Sequence, residues 1–94
     1  MIDRSSIRHK GLKEFYDTGT SKLIPQSLGK RISNRLAALE AAQEIGDLST
    51  PSLRVHELSG SRKGTWSIAV NGPWRMTFRF KGETAYDLNL EQYH

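Results

Sequence analysis

The chain has 94 residues, 36% of them hydrophobic and 26% charged, with a formal net charge of +4 and no cysteine. A chain of this length forms one domain, residues 1–94, with one core and no room for a cofactor domain, so any chemistry must lie on a surface or in a shallow cleft. The absence of cysteine excludes disulfides, thiolate nucleophiles and cysteine-ligated metal centres. The small basic excess favours an anionic partner without identifying it.

The cellular compartment is inferred from features that the chain lacks. A secreted domain of this size usually carries disulfides, the first six residues contain no apolar signal core, and no apolar run is long enough to cross a bilayer. We therefore expect a cytoplasmic protein that does not bind a membrane. The three histidines, His9, His56 and His94, are not spaced like metal ligands, so we expect no metal and no cofactor.

Helical patterns fill the first half of the chain. Residues 8–17 place apolar side chains at helical spacing, and this run predicts a first helix that ends at Gly19. A second helix is predicted from Pro25, which suits a first turn, to Gly46, which suits the position after a helix. Its apolar stripe consists of Leu28, Ile32, Leu36 and Leu39. Residues 2–7 predict a short edge strand, and His9 is expected to be exposed.

Strand patterns fill the second half. We predict four strands, over residues 53–58, 65–71, 74–81 and 84–90. Tight turns at Asn71-Gly72-Pro73 and Lys81-Gly82-Glu83 connect the last three strands. Alternation along the last strand places the apolar side chains on the inner face: Tyr86, Leu88 and Leu90.

These elements predict an α+β fold of two layers, in which two N-terminal helices pack on a mainly antiparallel sheet of four to five strands. The other face of the sheet then stays open to solvent. The polar side chains predicted on this open face are those of His56, Arg75, Thr77, Arg79, Asp87 and Asn89. The aromatic side chains alternate onto the covered face, which disfavours a stacking platform for single-stranded nucleic acid.

The charges are unevenly distributed along the chain. Residues 49–82 hold six basic residues and one acidic residue, whereas residues 83–94 hold three acidic residues and neither lysine nor arginine. The basic loop 60–64 closes a hairpin and lacks the spacing of a phosphate-binding P-loop. A phosphate would therefore be drawn to the central stretch.

The open face combines imidazole, phenol and guanidinium groups. Metal-free cleavage of RNA uses such groups: one takes a proton from the ribose 2′-hydroxyl, a cation stabilises the extra charge on phosphorus, and another group protonates the departing 5′-oxygen. The residue types permit this mechanism without selecting it, because an isolated histidine or arginine on a strand is more often simply solvated.

Short motifs along the whole chain resemble the HigB branch of the RelE-type toxins of bacterial toxin–antitoxin systems. In the first half they are His9-Lys10-Gly11-Leu12-Lys13, Asp17-Thr18-Gly19, Ile24-Pro25 and residues 34–39 and 41–42. In the second half, residues 56–64 resemble H-x-L-x-G-x-R-x-G, residues 66–71 resemble W-S-I-x-V-N, and residues 74–78 resemble W-R-[IL]-x-F. The chain ends in Tyr93-His94, as members of this family end in D-Y-H.

The resemblance implies a RelE-like fold and a ribosome-dependent mRNA endonuclease. Such toxins cleave mRNA in the ribosomal A site, often at adenine-rich codons and without a metal, and thereby arrest growth. The implied partners are the ribosome, mRNA and a HigA-type helix-turn-helix antitoxin. The antitoxin also represses the operon, so a DNA operator is expected to be contacted only through it.

The resemblance also implies roles for individual residues. His56 and His94 are acid–base candidates, Arg75 is the cation for the phosphate, and Tyr93 positions the nucleotide or the imidazole. Four residues are expected to contact RNA, the last two of the list on electrostatic grounds alone: Arg62, Gln92, Lys63 and Arg79.

Two residues depart from the family pattern. Gln92 replaces the usual Asp before the final Tyr-His, and Ser59 stands where a Lys is common. Glu91 is expected to point to the other side of the strand and not to replace that Asp. The alternative function is thus a catalytically weak RelE-fold module that acts through antitoxin binding and operon autoregulation. A nonspecific nucleic-acid binder is a third interpretation, supported only by the net charge.

Overall fold

Two helices and a four-stranded sheet make up the part of the chain that the structure, a computed structural model, describes, residues 1–92. The helices are α1 (Lys10–Thr18) and α2 (Gly29–Ala41); the strands are β1 (His56–Glu57), β2 (Trp66–Asn71), β3 (Trp74–Lys81) and β4 (Thr84–Gln92). The sheet is antiparallel throughout, in the order β1-β2-β3-β4. The predicted α+β fold, helices on one side of an antiparallel sheet, is confirmed.

Helix α1 has a cap at each end. Nδ1 of His9 accepts a hydrogen bond of 3.0 Å from the backbone N–H of Leu12, which satisfies one of the unpaired donors of the first turn. The expectation that His9 is merely exposed is wrong: the side chain is half-buried, and burial lowers the pKa of its imidazole. Gly19 ends the helix as predicted, with a left-handed φ of 83°.

Helix α2 is shorter than predicted at both ends. A 3₁₀ turn, Gln26–Leu28, precedes it, so the α-helix begins at Gly29 and not at Pro25. It ends at Ala41 and not at Gly46, because a separate 3₁₀ turn follows, with Glu44 as its N-cap. The side chains of Glu44 and Asp47 each accept a hydrogen bond from the other residue's backbone N–H, which forms a capping box. That turn buries Leu48 completely, so Gly46 belongs to a second short element.

The core lies between the helices and one face of the sheet. The helices contribute Leu12, Ile32, Leu36 and Leu39, and the sheet contributes Ile68, Val70, Met76, Phe78, Leu88 and Leu90. Buried Arg35 on α2 links the two layers, since its Nε donates to the carbonyl of Ala69 (3.0 Å) and its Nη2 to that of Ser52 (3.4 Å). Within residues 1–92, no helix is long and apolar enough to span a membrane.

Two predicted edge elements are shorter in the structure. The strand predicted over residues 53–58 is reduced to His56–Glu57, because Arg54 adopts a left-handed backbone (φ 47°) that interrupts an extended strand. The edge strand predicted over residues 2–7 is reduced to one parallel bridge between Ile2 and Ala85, followed by a 3₁₀ turn.

A bulge in β4 changes which side chains face inward. Asp87 has a φ of 53°, and the pairing with β3 shifts register at this point. Ala85 and Leu88 are therefore both fully buried although they are three positions apart, an odd spacing that would place them on opposite faces of a regular strand. The prediction that Tyr86 faces inward is wrong, because Tyr86 pairs with Arg79 and lies on the open face.

Candidate functional site

A cleft of about 410 Å³ lies on the open face of the sheet. Four of the predicted site residues line it: His56, Arg62, Arg75 and Gln92. Its floor includes the side chains of Ser67 and Thr77, both nearly inaccessible to solvent. A larger groove of about 840 Å³ between the end of α1 and α2 contains Lys22 as its one titratable side chain, so acid–base chemistry favours the sheet cleft.

His56 presents one defined nitrogen for proton transfer. Its Nδ1 lies 3.2 Å from the carbonyl oxygen of Arg54. A carbonyl only accepts, so Nδ1 carries the proton and the neutral ring keeps its lone pair on Nε2. Arg54, whose backbone is left-handed, lies two residues before the ring. The side chain of His56 is exposed, and its ring is able to act as a base through Nε2.

Arg75 lies in the middle of the sheet. On β3 it is paired with Ala69 of β2 on one side and with Glu91 of β4 on the other. It is half-buried and lines the cleft. Strands on both sides fix its backbone, so its position is defined by the sheet and not by a loop.

Glu91 is part of the cleft, contrary to expectation. Its Oε1 and Oε2 accept hydrogen bonds of 2.9 Å and 2.7 Å from Nη1 and Nη2 of Arg62, and Oε2 also accepts from the Thr77 hydroxyl. The Arg62 hydrogen bond is the main reason why the pKa of Glu91 lies below its ordinary value; burial opposes this effect. The alternation that turns Leu88 and Leu90 inward places Glu91 on the open face, so the sequence did contain this signal.

The four residues predicted to contact RNA do not all lie in one cleft. Arg62 and Gln92 line the first cleft, Arg79 lines a second cleft of about 230 Å³, and Lys63 lines neither. Arg79 lies against the basic loop, where its Nη2 would come within 2.9 Å of a Cβ added at Gly64. Strand alternation thus located Arg79 on the open face but did not resolve which cleft it joins.

The second cleft adjoins the first. Arg62, Thr77 and Glu91 line both clefts, and Arg79 and Asn89 line only the second. Arg8 also contributes to it and forms an ion pair of 3.7 Å with Asp87. Sequence analysis missed Arg8, because nothing in a single basic residue before α1 indicates that it reaches the sheet.

Tyr93 and His94 lie outside the described residues, so their predicted roles stay predictions. In the range 1–92, no three carboxylate or imidazole side chains converge as metal ligands would.

Comparisons with known proteins agree over most of the chain. A family model described as the RelE-like toxin of the type II toxin–antitoxin system HigB matches residues 5–94. The chain is 44% identical over 89 residues to the endoribonuclease HigB of Proteus vulgaris, covering 95% of this chain and 97% of that protein. It is 35% identical over 86 residues to toxin HigB-1 of Vibrio cholerae serotype O1, covering 89% and 90%.

Proposed function

The chain belongs to the HigB-like family of RelE-like toxins of type II toxin–antitoxin systems, and from this premise we propose that it is a metal-independent endoribonuclease that cleaves mRNA in the ribosomal A site. The observation that carries the proposal is the placement of His56 and Arg75 in one cleft on the open sheet face. The endoribonuclease name of the Proteus vulgaris relative supports it.

His56 is the proposed general base. Its Nε2 takes the proton of the ribose 2′-hydroxyl, and the hydrogen bond from Nδ1 to the Arg54 carbonyl keeps the ring in the required tautomer. The 2′-oxygen then attacks the adjacent phosphorus, and the bond to the 5′-oxygen breaks. This path leaves a 2′,3′-cyclic phosphate on one product and a 5′-hydroxyl on the other.

Arg75 is the proposed stabiliser of the transition state. The five-coordinate phosphorus carries an extra negative charge, and a guanidinium held in the sheet needs little reorganisation to meet it. His94 is the proposed acid for the departing 5′-oxygen, and Tyr93 its positioning partner. Gln92 is able to hydrogen-bond RNA but not to exchange a proton, so the acid must come from another side chain.

The ribosome is the proposed source of substrate positioning. A cleft of about 410 Å³ accommodates few nucleotides and supplies few contacts to orient them. Orientation contributes several kcal/mol to such reactions, and a ribosome-held codon arrives already oriented. This substrate implies a cytoplasmic protein. Toxins of type II systems have antitoxin partners, and we propose a HigA-type helix-turn-helix antitoxin that brings the toxin to the DNA operator.

The test is cleavage of a programmed mRNA on purified ribosomes, with fragment ends mapped at single-nucleotide resolution. We expect cuts within the A-site codon that leave 5′-hydroxyl ends. Arg75→Ala should slow cleavage about 10²–10³-fold, and His56→Gln about 10²–10⁴-fold. Arg31→Ala, at an exposed arginine on α2, is the matched control and should keep full activity.

Intact mRNA after incubation with folded wild-type protein would reject the nuclease. Such a result, together with stronger operator binding by the antitoxin, would instead support the catalytically weak module. Equal cleavage rates on free RNA and on ribosome-held RNA would reject the proposed dependence on the ribosome.

A further inference from the structure

The ion pair of Arg62 and Glu91 forms the boundary between the two clefts of the open face. Both residues line the first cleft, with His56 and Arg75, and the second, with Arg79. The two clefts would therefore be continuous if this pair opened.

The pair has the geometry of a bound anion. Both terminal nitrogens of Arg62 donate to the two carboxylate oxygens, at 2.9 Å and 2.7 Å. The same two-pronged contact is the one an arginine makes with a phosphate. The position that a phosphate oxygen pair would take against Arg62 is thus occupied by a side chain of the protein itself.

Glu91 is held in place by more contacts than its ion-pair partner Arg62. Glu91 sits on the longest strand, opposite Arg75, and is additionally held by the hydroxyl of buried Thr77. Arg62 ends a three-residue 3₁₀ turn in the loop between β1 and β2, and its side chain is 48% exposed against 28% for Glu91. Arg62 is therefore the partner that is able to swing away.

We propose that the Glu91 carboxylate occupies the phosphate-binding position of Arg62, and that an RNA phosphodiester adjacent to the scissile one displaces this carboxylate from Arg62 as the Arg62 side chain swings away from β4. The displacement joins the two clefts into one groove and turns Arg62 and Arg79 toward the same strand. The proposal rests on the proposed function only in taking RNA as the ligand. The consequence is selectivity for ribosome-held RNA over free RNA. The Glu91 carboxylate competes with phosphate for Arg62 and weakens the binding of free RNA, whereas RNA held at high local concentration overcomes this competition.

The salt dependence of RNA binding tests this directly. The probe is a 2′-O-methyl RNA oligonucleotide, which lacks the attacking hydroxyl and is not cleaved, titrated at 50–400 mM KCl. Glu91→Gln keeps the shape of the side chain but removes its charge, so Arg62 becomes available. We expect several-fold tighter binding by Glu91→Gln. In the wild type the displaced Glu91 carboxylate takes up a cation, which offsets the counterion that the Arg62-bound phosphate releases. The plot of log affinity against log salt should therefore be steeper for Glu91→Gln by about 0.7, the value for one phosphate contact on a single strand.

Three further variants make the result specific. Glu57→Gln removes one negative charge from the same cleft without touching Arg62, and should leave the slope unchanged. In an Arg62→Ala background, Glu91→Gln should change neither affinity nor slope. Glu91→Asp retains the charge but is one methylene shorter, so it should give an intermediate affinity and serves if the glutamine variant does not fold.

The outcomes separate this proposal from the proposed function. A slope for Glu91→Gln equal to that of wild type or Glu57→Gln, or the same gain without Arg62, overturns the displacement model. Absence of RNA binding by every folded variant at 50 mM KCl overturns it too. Expected slopes with no cleavage of ribosome-held mRNA would support the phosphate-binding position of Arg62 and reject the nuclease.

Discussion

Hydrogen bonds of two cleft side chains, His56 and Glu91, define which of their atoms serve as donors and which as acceptors. His56 donates from Nδ1 to a backbone carbonyl, which leaves Nε2 as an acceptor. Glu91 accepts from a guanidinium and a hydroxyl, which favours its ionised form. A carboxylate held ionised in this way is a poor proton donor. Glu91 is therefore suited to positioning and charge, which is consistent with the proposed assignment of proton transfer to the histidines.

The lowered pKa of Glu91 predicts a pH dependence of stability. In the unfolded chain a glutamate titrates near 4.3, whereas in the folded chain it titrates lower. The stabilisation from this carboxylate is therefore complete above the unfolded pKa and is lost as pH falls through the folded pKa. Urea unfolding of wild type and Glu91→Gln should differ most at pH 6 and converge toward pH 3. A constant difference across that range would contradict the ionised carboxylate.

At the level of elements, backbone conformation decides where helices stop and where side chains point. Gly19 ends α1 in the left-handed region, with open space around the position of a Cβ. Gly29, at the start of α2, has an ordinary helical backbone, and a Cβ there would meet only Phe15, at 3.8 Å. The two glycines thus differ in φ and not in available space.

Alanine at these two glycines should have opposite effects. Gly19→Ala should cost about 1–2 kcal/mol of unfolding free energy, because an alanine Cβ is strained at positive φ, and Gly19→Asn should cost less. Gly29→Ala should gain about 0.5–1 kcal/mol, because alanine loses less entropy in a helix. Chemical denaturation measures both. An unchanged unfolding free energy for Gly19→Ala would show that α1 is able to end without a left-handed residue at this position.

At the scale of the whole molecule, Arg35 joins the helix layer to the segment that leads into the site. It is only 8% exposed, and its guanidinium donates to Ala69 on β2 and to Ser52 ahead of β1. Burial is the main reason why the pKa of Arg35 is lowered. By donating to both carbonyls, the guanidinium helps to hold the segment before His56 against β2.

Removing this link should destabilise the fold. Arg35→Met keeps the length of the side chain but leaves both carbonyls without this donor, and should cost about 1–3 kcal/mol. Arg31→Met, one turn earlier on α2 and exposed, should stay within about 0.5 kcal/mol of wild type. Thermal unfolding compares the two. Equal melting temperatures would mean that water replaces the guanidinium at no cost.

The fold was largely predictable because its signals are local. The stripe from Leu28 to Leu39 specifies a helix face, and the alternation from Trp74 to Lys81 specifies a strand with one apolar side. The failures fall where a backbone departs from regular geometry, at Arg54, at Asp87 and at the separate turn after Ala41. A left-handed residue that is not glycine leaves little trace in composition, so the strand at residues 53–58 was predicted too long and Tyr86 was placed on the wrong face.

By itself, the sequence determined the two layers, the open face and the presence of His56, Arg75 and Arg79 on it, because side-chain period and hydropathy act over short range. Only the tertiary structure decided that Glu91 pairs with Arg62 between the two clefts, since the residues are 29 apart along the chain. A contact of that kind depends on strand register and on the path of a loop. Periodicity along one strand does not encode either of them.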